Sequence, residues 1–449
     1  MRRRAVAAIA AIWLLGAAAA APGQAAAAGD TVIHAGQILA VPGRPAAGPH
    51  TIVVRGARIH SIREGFQTPA GLGLPAAAVI DLRDSFVMPG LLDTHVHLTT
   101  EPKPGGLEKT LRRGDAYLAI VAAVNAERVL AAGFTTVMDM GTGRRAHEKA
   151  IFAVRDAIAA GVLQGPEILA AGSPIAAAGA SRTGRFIDAL EAVIGPEGVC
   201  SGEPQCREAV REQVARGADF INFYNTGSLL ADDPPASTFT LNEMTAIVAE
   251  AHALNRVAVA DGGNTPGDAS GIDTAIRAGA DVIDTVTYPG PQTFRLLRRS
   301  GGAFSPHVHA LNAAVGDSED TLANGSMGWL PPPVLTALFA LKQQTPSALA
   351  GYRAGARLVV GSDSGVFEHG LNANELVDYV ALGIEPMDAL AAATVNVAAA
   401  FRLLDRTGTL EEGKEADIVA FEHSPLDDIR TVTRPRLVMT DGRIHRLER

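Results

Sequence analysis

The chain has 449 residues, carries a net charge of −9, and is 47% apolar but only 19% charged. That length allows one large domain or two to three ordinary ones and a sizeable buried core. The acidic balance argues against nucleic acid and anionic membrane surfaces as partners.

The chain opens with Arg2, Arg3 and Arg4, an apolar run from Ala5 to Ala21, and then small residues in GQAAAAGD. This is the three-part layout of a secretory signal peptide, and the alanine-dominated run is short for a membrane span. Cleavage near Ala26 to Ala28 would remove three arginines and no acids, which takes the net charge from −9 to −12. The expectation is a secreted or periplasmic protein with no membrane attachment once residues 1–28 are gone; no later stretch is apolar enough to span a bilayer.

Next, TVIHAGQILAVPG and HTIVVRGARIHSIREG alternate apolar and polar residues around turn formers, and ADIVAFE and RLVMTDGRIHRL repeat the pattern at the other end. Such alternation predicts strands and hairpins. Residues 29–85 and 408–449 are therefore expected to form one small β-sandwich domain built from both chain ends. Between them, residues 86–407 change to short β-rich runs separated by Ala-rich helical windows. Eight runs are expected as strands: Phe86–Asp93, Phe134–Met138, Glu167–Ala171, Asp219–Tyr224, Arg256–Ala260, Asp281–Thr285, Gly302–Ser305 and Arg357–Gly361. Repeated βα units of this number predict a (β/α)8 TIM barrel in an α/β fold, whose chemistry sits at the C-terminal strand ends.

The first of these runs is the most informative. In FVMPGLLDTHVH an apolar strand leads into His95 and His97, and alternate strand residues share a face, so both imidazoles can hold one metal ion. This segment resembles the first barrel strand of the amidohydrolase superfamily, in its imidazolonepropionase-like and prolidase-like branch. GDAYLAIVAAVNAERVLAAGFTTVMDMG, DALAAATVNVAAAF and GTLEEGKEADIVAFEHSPLDD extend the likeness over nearly the whole chain after the leader. The resemblance implies a metal-dependent hydrolase of carbon–nitrogen bonds acting on a small molecule. It also assigns Asp363, in LVVGSDSG, as metal ligand and proton shuttle.

Three positions depart from the family pattern. Asn222 stands where a bridging lysine is usual, Ala260 followed by Asp261 where the fifth strand carries a histidine, and Thr285 where the sixth carries another. All three losses belong to the second of two metals. His95, His97 and Asp363 remain, enough for one divalent ion, with zinc first and iron or manganese also suited to these ligands.

Replacement ligands or substrate contacts are sought in Asn222, Asp261, His307 and His309, and a substrate pocket in Tyr224, Tyr288 and Asn225. Arg182 and Arg185 would favour an acidic substrate if they face the site. A second reading is a barrel that has lost catalysis and binds ligands in the periplasm. Cys200 and Cys206, in the loop-like segment CSGEPQC, could close a local disulfide in an oxidising compartment. Substrate identity and oligomeric state are left open, a homo-oligomer included.

Overall fold

A computed structural model describes residues 29–102, 112–141, 148–178, 198–227, 237–262, 267–315 and 332–448. The leader at 1–28 and both Arg182 and Arg185 lie outside them. The fold is α/β. Strands β1 (Thr31–Ile38), β2 (His50–Arg55), β3 (Arg58–Glu64) and β4 (Ala78–Pro89) precede ten short strands: β5 (Leu91–Val96), β6 (Phe134–Asp139), β7 (Glu167–Ala170), β8 (Ile175–Ala177), β9 (Gly198–Cys200), β10 (Ile221–Tyr224), β11 (Ala258–Asp261), β12 (Val282–Asp284), β13 (Ala303–Ser305) and β14 (Arg357–Leu358). The chain returns through β15 (Ile418–Phe421), β16 (Leu437–Thr440) and β17 (Arg443–Leu447).

Both chain ends meet in one seven-stranded sheet, ordered β17-β16-β15-β4-β1-β2-β3. Its alternating apolar residues form one cluster in which Ile33, Ile52 and Ile80 from the first strands join Ile418 and Leu437 from the last.

The central strands are parallel. They form a three-stranded sheet, β5-β6-β7, and a seven-stranded one, β14-β13-β12-β11-β10-β8-β9. Asp219 N donates to Ala170 O at 2.9 Å and links β7 to the entrance of β10. Thr94 N donates to Val360 O at 2.8 Å and links β5 to the continuation of β14. The two seams join β5, β6, β7, β10, β11, β12, β13 and β14 into a ring of eight, with β8 and β9 as an unforeseen side extension. Helices return the chain between strands, as in Leu241–Ala253, where Thr240 and Glu243 form a reciprocal capping box.

The first expected strand is divided. Phe86 to Pro89 belong to β4 and pair with β15 in the terminal sheet, whereas β5 starts at Leu91. Gly90 stands at the break, where a Cβ would lie 2.2 Å from Thr135 Oγ1. The segment CSGEPQC is not a loop either: helix Gly202–Arg216 begins inside it and carries Cys206. The Cys200–Cys206 disulfide is formed, with the Cα atoms 5.0 Å apart, and ties the end of β9 to that helix.

Asp417 sits where the terminal sheet meets the ring. Its main-chain oxygen accepts from Gly90 N, Oδ1 accepts from Asp441 N at 3.1 Å, and Oδ2 accepts from the Thr407 hydroxyl at 3.1 Å. Burial, reinforced by the nearby Asp441 and Glu415 carboxylates, outweighs these bonds and pushes the carboxyl up to about 7. The folded state thus prefers the protonated acid. That contribution is complete below the unfolded value of 3.8 and is lost as pH rises through about 7. Asp417→Asn should remove the loss: between about pH 5 and about pH 8.5, denaturation should show the parent losing roughly 2–3 kcal/mol more stability than the variant. Equal losses in the two proteins would show that this carboxyl is ionised throughout.

Candidate active site

The site lies at the C-terminal ends of the parallel strands. Strand alternation puts His95 and His97 on one face, and their Nε2 atoms are 3.0 Å apart. Asp363 Oδ1 lies 3.4 Å from His95 Nε2 and 3.3 Å from His97 Nε2. These three ligand-type atoms fall within 4.8 Å of one another.

The outer edges of both rings are engaged. His97 Nδ1 donates to Gly141 O at 2.6 Å, and His95 Nδ1 is bonded to Asp284 Oδ2. With each proton on Nδ1, toward its carbonyl or carboxylate partner, the neutral tautomers turn both Nε2 lone pairs toward Asp363 Oδ1, itself without a well-formed hydrogen bond. In that state two lone pairs and a carboxylate oxygen converge, a repulsion that either a proton or a cation between them relieves, and a divalent ion fits this donor set. Burial pulls His97 down, but the Asp363 carboxylate beside it prevails and raises its proton affinity. Burial also works against ionised Asp363, yet His95 and His97 hold its carboxyl well below the usual range. His95 is buried, whereas His97 and Asp363 are each 22% exposed, so the approach lies on their side.

Two further buried acids hold the frame. Asp93 Oδ1 accepts from His95 N at 3.0 Å and Ser362 N at 2.9 Å, while Oδ2 accepts from Asn372 Nδ2 at 2.8 Å, which binds the histidine strand to the Asp363 segment. Asp139 accepts from Leu98 N and Gly141 N, fixing the carbonyl that anchors His97. Gly365, at φ +115°, lets the chain pass His97, where a Cβ would lie 2.8 Å from the histidine Cβ. Thr285, His307 and Asp363 all have φ between 52° and 57°, in the left-handed region that costs non-glycine residues about 1–3 kcal/mol each. Such cost concentrates where a side chain must be aimed.

A family model described as the amidohydrolase family matches residues 86–445. The chain belongs to the amidohydrolase family. An ochratoxinase from Aspergillus niger is 29% identical over 384 residues, covering 78% of this chain and 73% of that protein. An imidazolonepropionase from Thermoplasma volcanium is 33% identical over 119 residues, 25% of this chain and 28% of the relative. A solved Xaa-Pro dipeptidase, with methionine bound in its active site, aligns with a TM-score of 0.80 at 29% identity over 92% of this chain and 99% of that one. The chain is accordingly a hydrolase of carbon–nitrogen bonds, in a family that generally depends on metal ions.

Against the family pattern, the substituted positions are occupied by other interactions. Asn222 is buried; its Nδ2 donates to Met140 O at 3.1 Å, while its Oδ1 has no hydrogen-bond partner among the described residues. Asp261 ends β11, buried and close enough for its charge to act on His97. Thr285 Oγ1 lies 3.3 Å from His307 Nδ1. His307 does reach the site: its Nε2 bonds Asp284 Oδ1 at 2.9 Å and its Nδ1 is 3.8 Å from Asp363 Oδ2. Burial pulls this imidazole down, but Asp284 more than compensates and carries it up to about 10.

His309 does not reach the site. It opens the helix after β13, where its Nδ1 bonds Asp378 at 2.8 Å and its ring packs edge-on to Phe367, because helical spacing separates it from His307. Tyr224 ends β10 and is buried, and Asn225 follows it with neither amide atom hydrogen-bonded among the described residues. Tyr288 instead lines a cleft of about 470 Å³ with Pro289, Pro291 and Gln344. Sequence reasoning missed Asp284, although an acid closing the apolar run ADVID at a strand end is the signal that would have found it.

Proposed function

We propose that this amidohydrolase is exported and uses one divalent ion, held by His95, His97 and Asp363, to hydrolyse a small amide, cyclic amide or dipeptide-like bond. The carrying observation is the convergence of two imidazole Nε2 atoms on Asp363 Oδ1 at 3.3 and 3.4 Å while both Nδ1 atoms are engaged elsewhere. Asn222, Ala260 and Thr285 deprive a second ion of its usual ligands. Two histidines and a carboxylate keep a fourth position open, which suits zinc first.

A divalent ion held by these three residues would lower the pKa of water to about 7 and polarise a carbonyl. Asp363 then has two tasks divided between its oxygens. Oδ1 faces the histidines, and Oδ2 takes the proton of the attacking water and returns it to the leaving nitrogen. Asn225 offers a donor and an acceptor to the polar part of a substrate, since its buried amide is otherwise unpaired among the described residues. A relative named a dipeptidase and another named an ochratoxinase support a small-molecule amide as the substrate class.

The leader-like residues 1–28 and the Cys200–Cys206 bridge support a secreted or periplasmic location. No helix among the described residues is long and apolar enough to cross a membrane. We also read residues 86–407 as the barrel domain, and 29–85 with 408–449 as a sandwich-like domain, whose shared apolar cluster supports that reading.

Elemental analysis of the purified protein, followed by a panel of dipeptides and N-acyl amides, tests the proposal. About one equivalent of metal and hydrolysis that a chelator abolishes and added metal restores are expected. Two equivalents, or hydrolysis indifferent to chelation, would overturn it.

A further inference from the structure

The His95 side chain is held from behind by a buried assembly that the reaction itself does not need. Asp284 is 1% exposed, His95 3% and His307 2%. Oδ2 of Asp284 bonds His95 Nδ1, and Oδ1 bonds His307 Nε2 at 2.9 Å. Each carboxylate oxygen is therefore occupied by a different imidazole, which fixes both the position and the twist of the carboxyl group. The two rings meet edge to face with centroids 4.5 Å apart. His307 is anchored in turn by its left-handed backbone at φ 52° and by Thr285, whose hydroxyl lies 3.3 Å from Nδ1.

We propose that Asp284 is a positioning residue for the metal centre: it holds His95 in the Nδ1–H tautomer, so that Nε2 alone faces the ion, and His307 in turn fixes the carboxylate. This inference rests on the one-metal reading and adds the part of the molecule that aims its most buried ligand. His95, Asp284 and His307 also lie close enough to form a ligand cluster of their own. Ligation there beside an ion at His95, His97 and Asp363 would require His95 to use both ring nitrogens at once, as a deprotonated bridge between two ions. A hydrogen-bonded carboxylate asks only for the ordinary neutral imidazole.

The chemistry of an amide at this position makes the proposal testable. Asparagine presents one acceptor and one donor where aspartate presents two acceptors, so in Asp284→Asn one of the two imidazoles meets an N–H and must change tautomer or give up a proton. Metal affinity is measured by competition with a chromophoric chelator, with the cobalt(II) absorption spectrum as a second readout of ligand geometry. The parent, Asp284→Asn and His307→Gln are compared. We expect one equivalent in all three, binding weakened about 10- to 100-fold in Asp284→Asn and about tenfold in His307→Gln, and an altered cobalt spectrum in both.

Unchanged affinity and spectrum in the variants would overturn the positioning role. Two equivalents in the parent and one in Asp284→Asn would also overturn it, by making Asp284 a ligand. If Asp284→Asn does not fold, His307→Gln decides alone, since unaltered binding there removes the support for a fixed carboxylate. A parent that binds no metal would instead overturn the one-metal reading, which separates the two failures.

Discussion

Replacing His95 and His97 together by alanine should leave the protein folded, without bound metal and without hydrolytic activity. His95 projects from the end of β5 and His97 from the position just after it, and their Nε2 atoms supply two of the three converging donors. Asp363 alone cannot retain a divalent ion at neutral pH against water. Charge stabilisation by a metal supplies several kcal/mol to the transition state, so losing it should cost about 10³- to 10⁴-fold in kcat/KM. Elemental analysis should fall from about one equivalent to none, and added zinc should not restore turnover. Retained metal in the double variant would move the centre elsewhere.

The second large effect is expected from Asp363→Asn. The amide keeps the size of the side chain and one oxygen near the histidines but removes the proton acceptor. General acid–base contributions are worth about 10²- to 10⁴-fold, and kcat should fall within that range while KM changes little. Metal should still bind through His95 and His97, though more weakly, so saturating metal should leave the kcat defect in place. Full recovery at high metal concentration would reduce Asp363 to a ligand. The left-handed φ of 57° at this position is compatible with asparagine, so the substitution adds little backbone cost.

The contrast between the histidine pair and the residues behind it follows from how each is encoded. His95 and His97 are separated by one residue, and any extended strand must put them on one face. A local rule was enough, and the apolar run before them located the strand. The same kind of local signal identified the strand-rich ends, the repeated βα pattern and the small residues that surround Asp363 in GSDSG. The pairing of Cys200 with Cys206 was also accessible, because six positions limit how far the thiols can separate.

Other features depend on ring closure. Asp284 is 189 positions from His95 in sequence, and nothing in ADVIDT indicates which imidazole its carboxylate will meet. Their contact is set by neighbouring strands and by the seam in which Thr94 bonds Val360. His307 and His309 looked alike as a second histidine pair, yet only His307 faces the site, since the chain enters a helix at Val308 and no longer alternates faces. The division of FVMPGLLDTHVH falls at the Pro89-Gly90 break that the sequence shows, whereas the close approach of Thr135, which leaves a side chain no room there, was hidden. The sequence by itself determined the βα pattern and the shared face of His95 and His97, through spacing that acts over a few positions, and its likeness to a known family pointed to that family and to Asp363. The tertiary structure alone decided which buried carboxylate aims His95 and which histidine supports it, because that choice is made by packing between strands far apart in the chain.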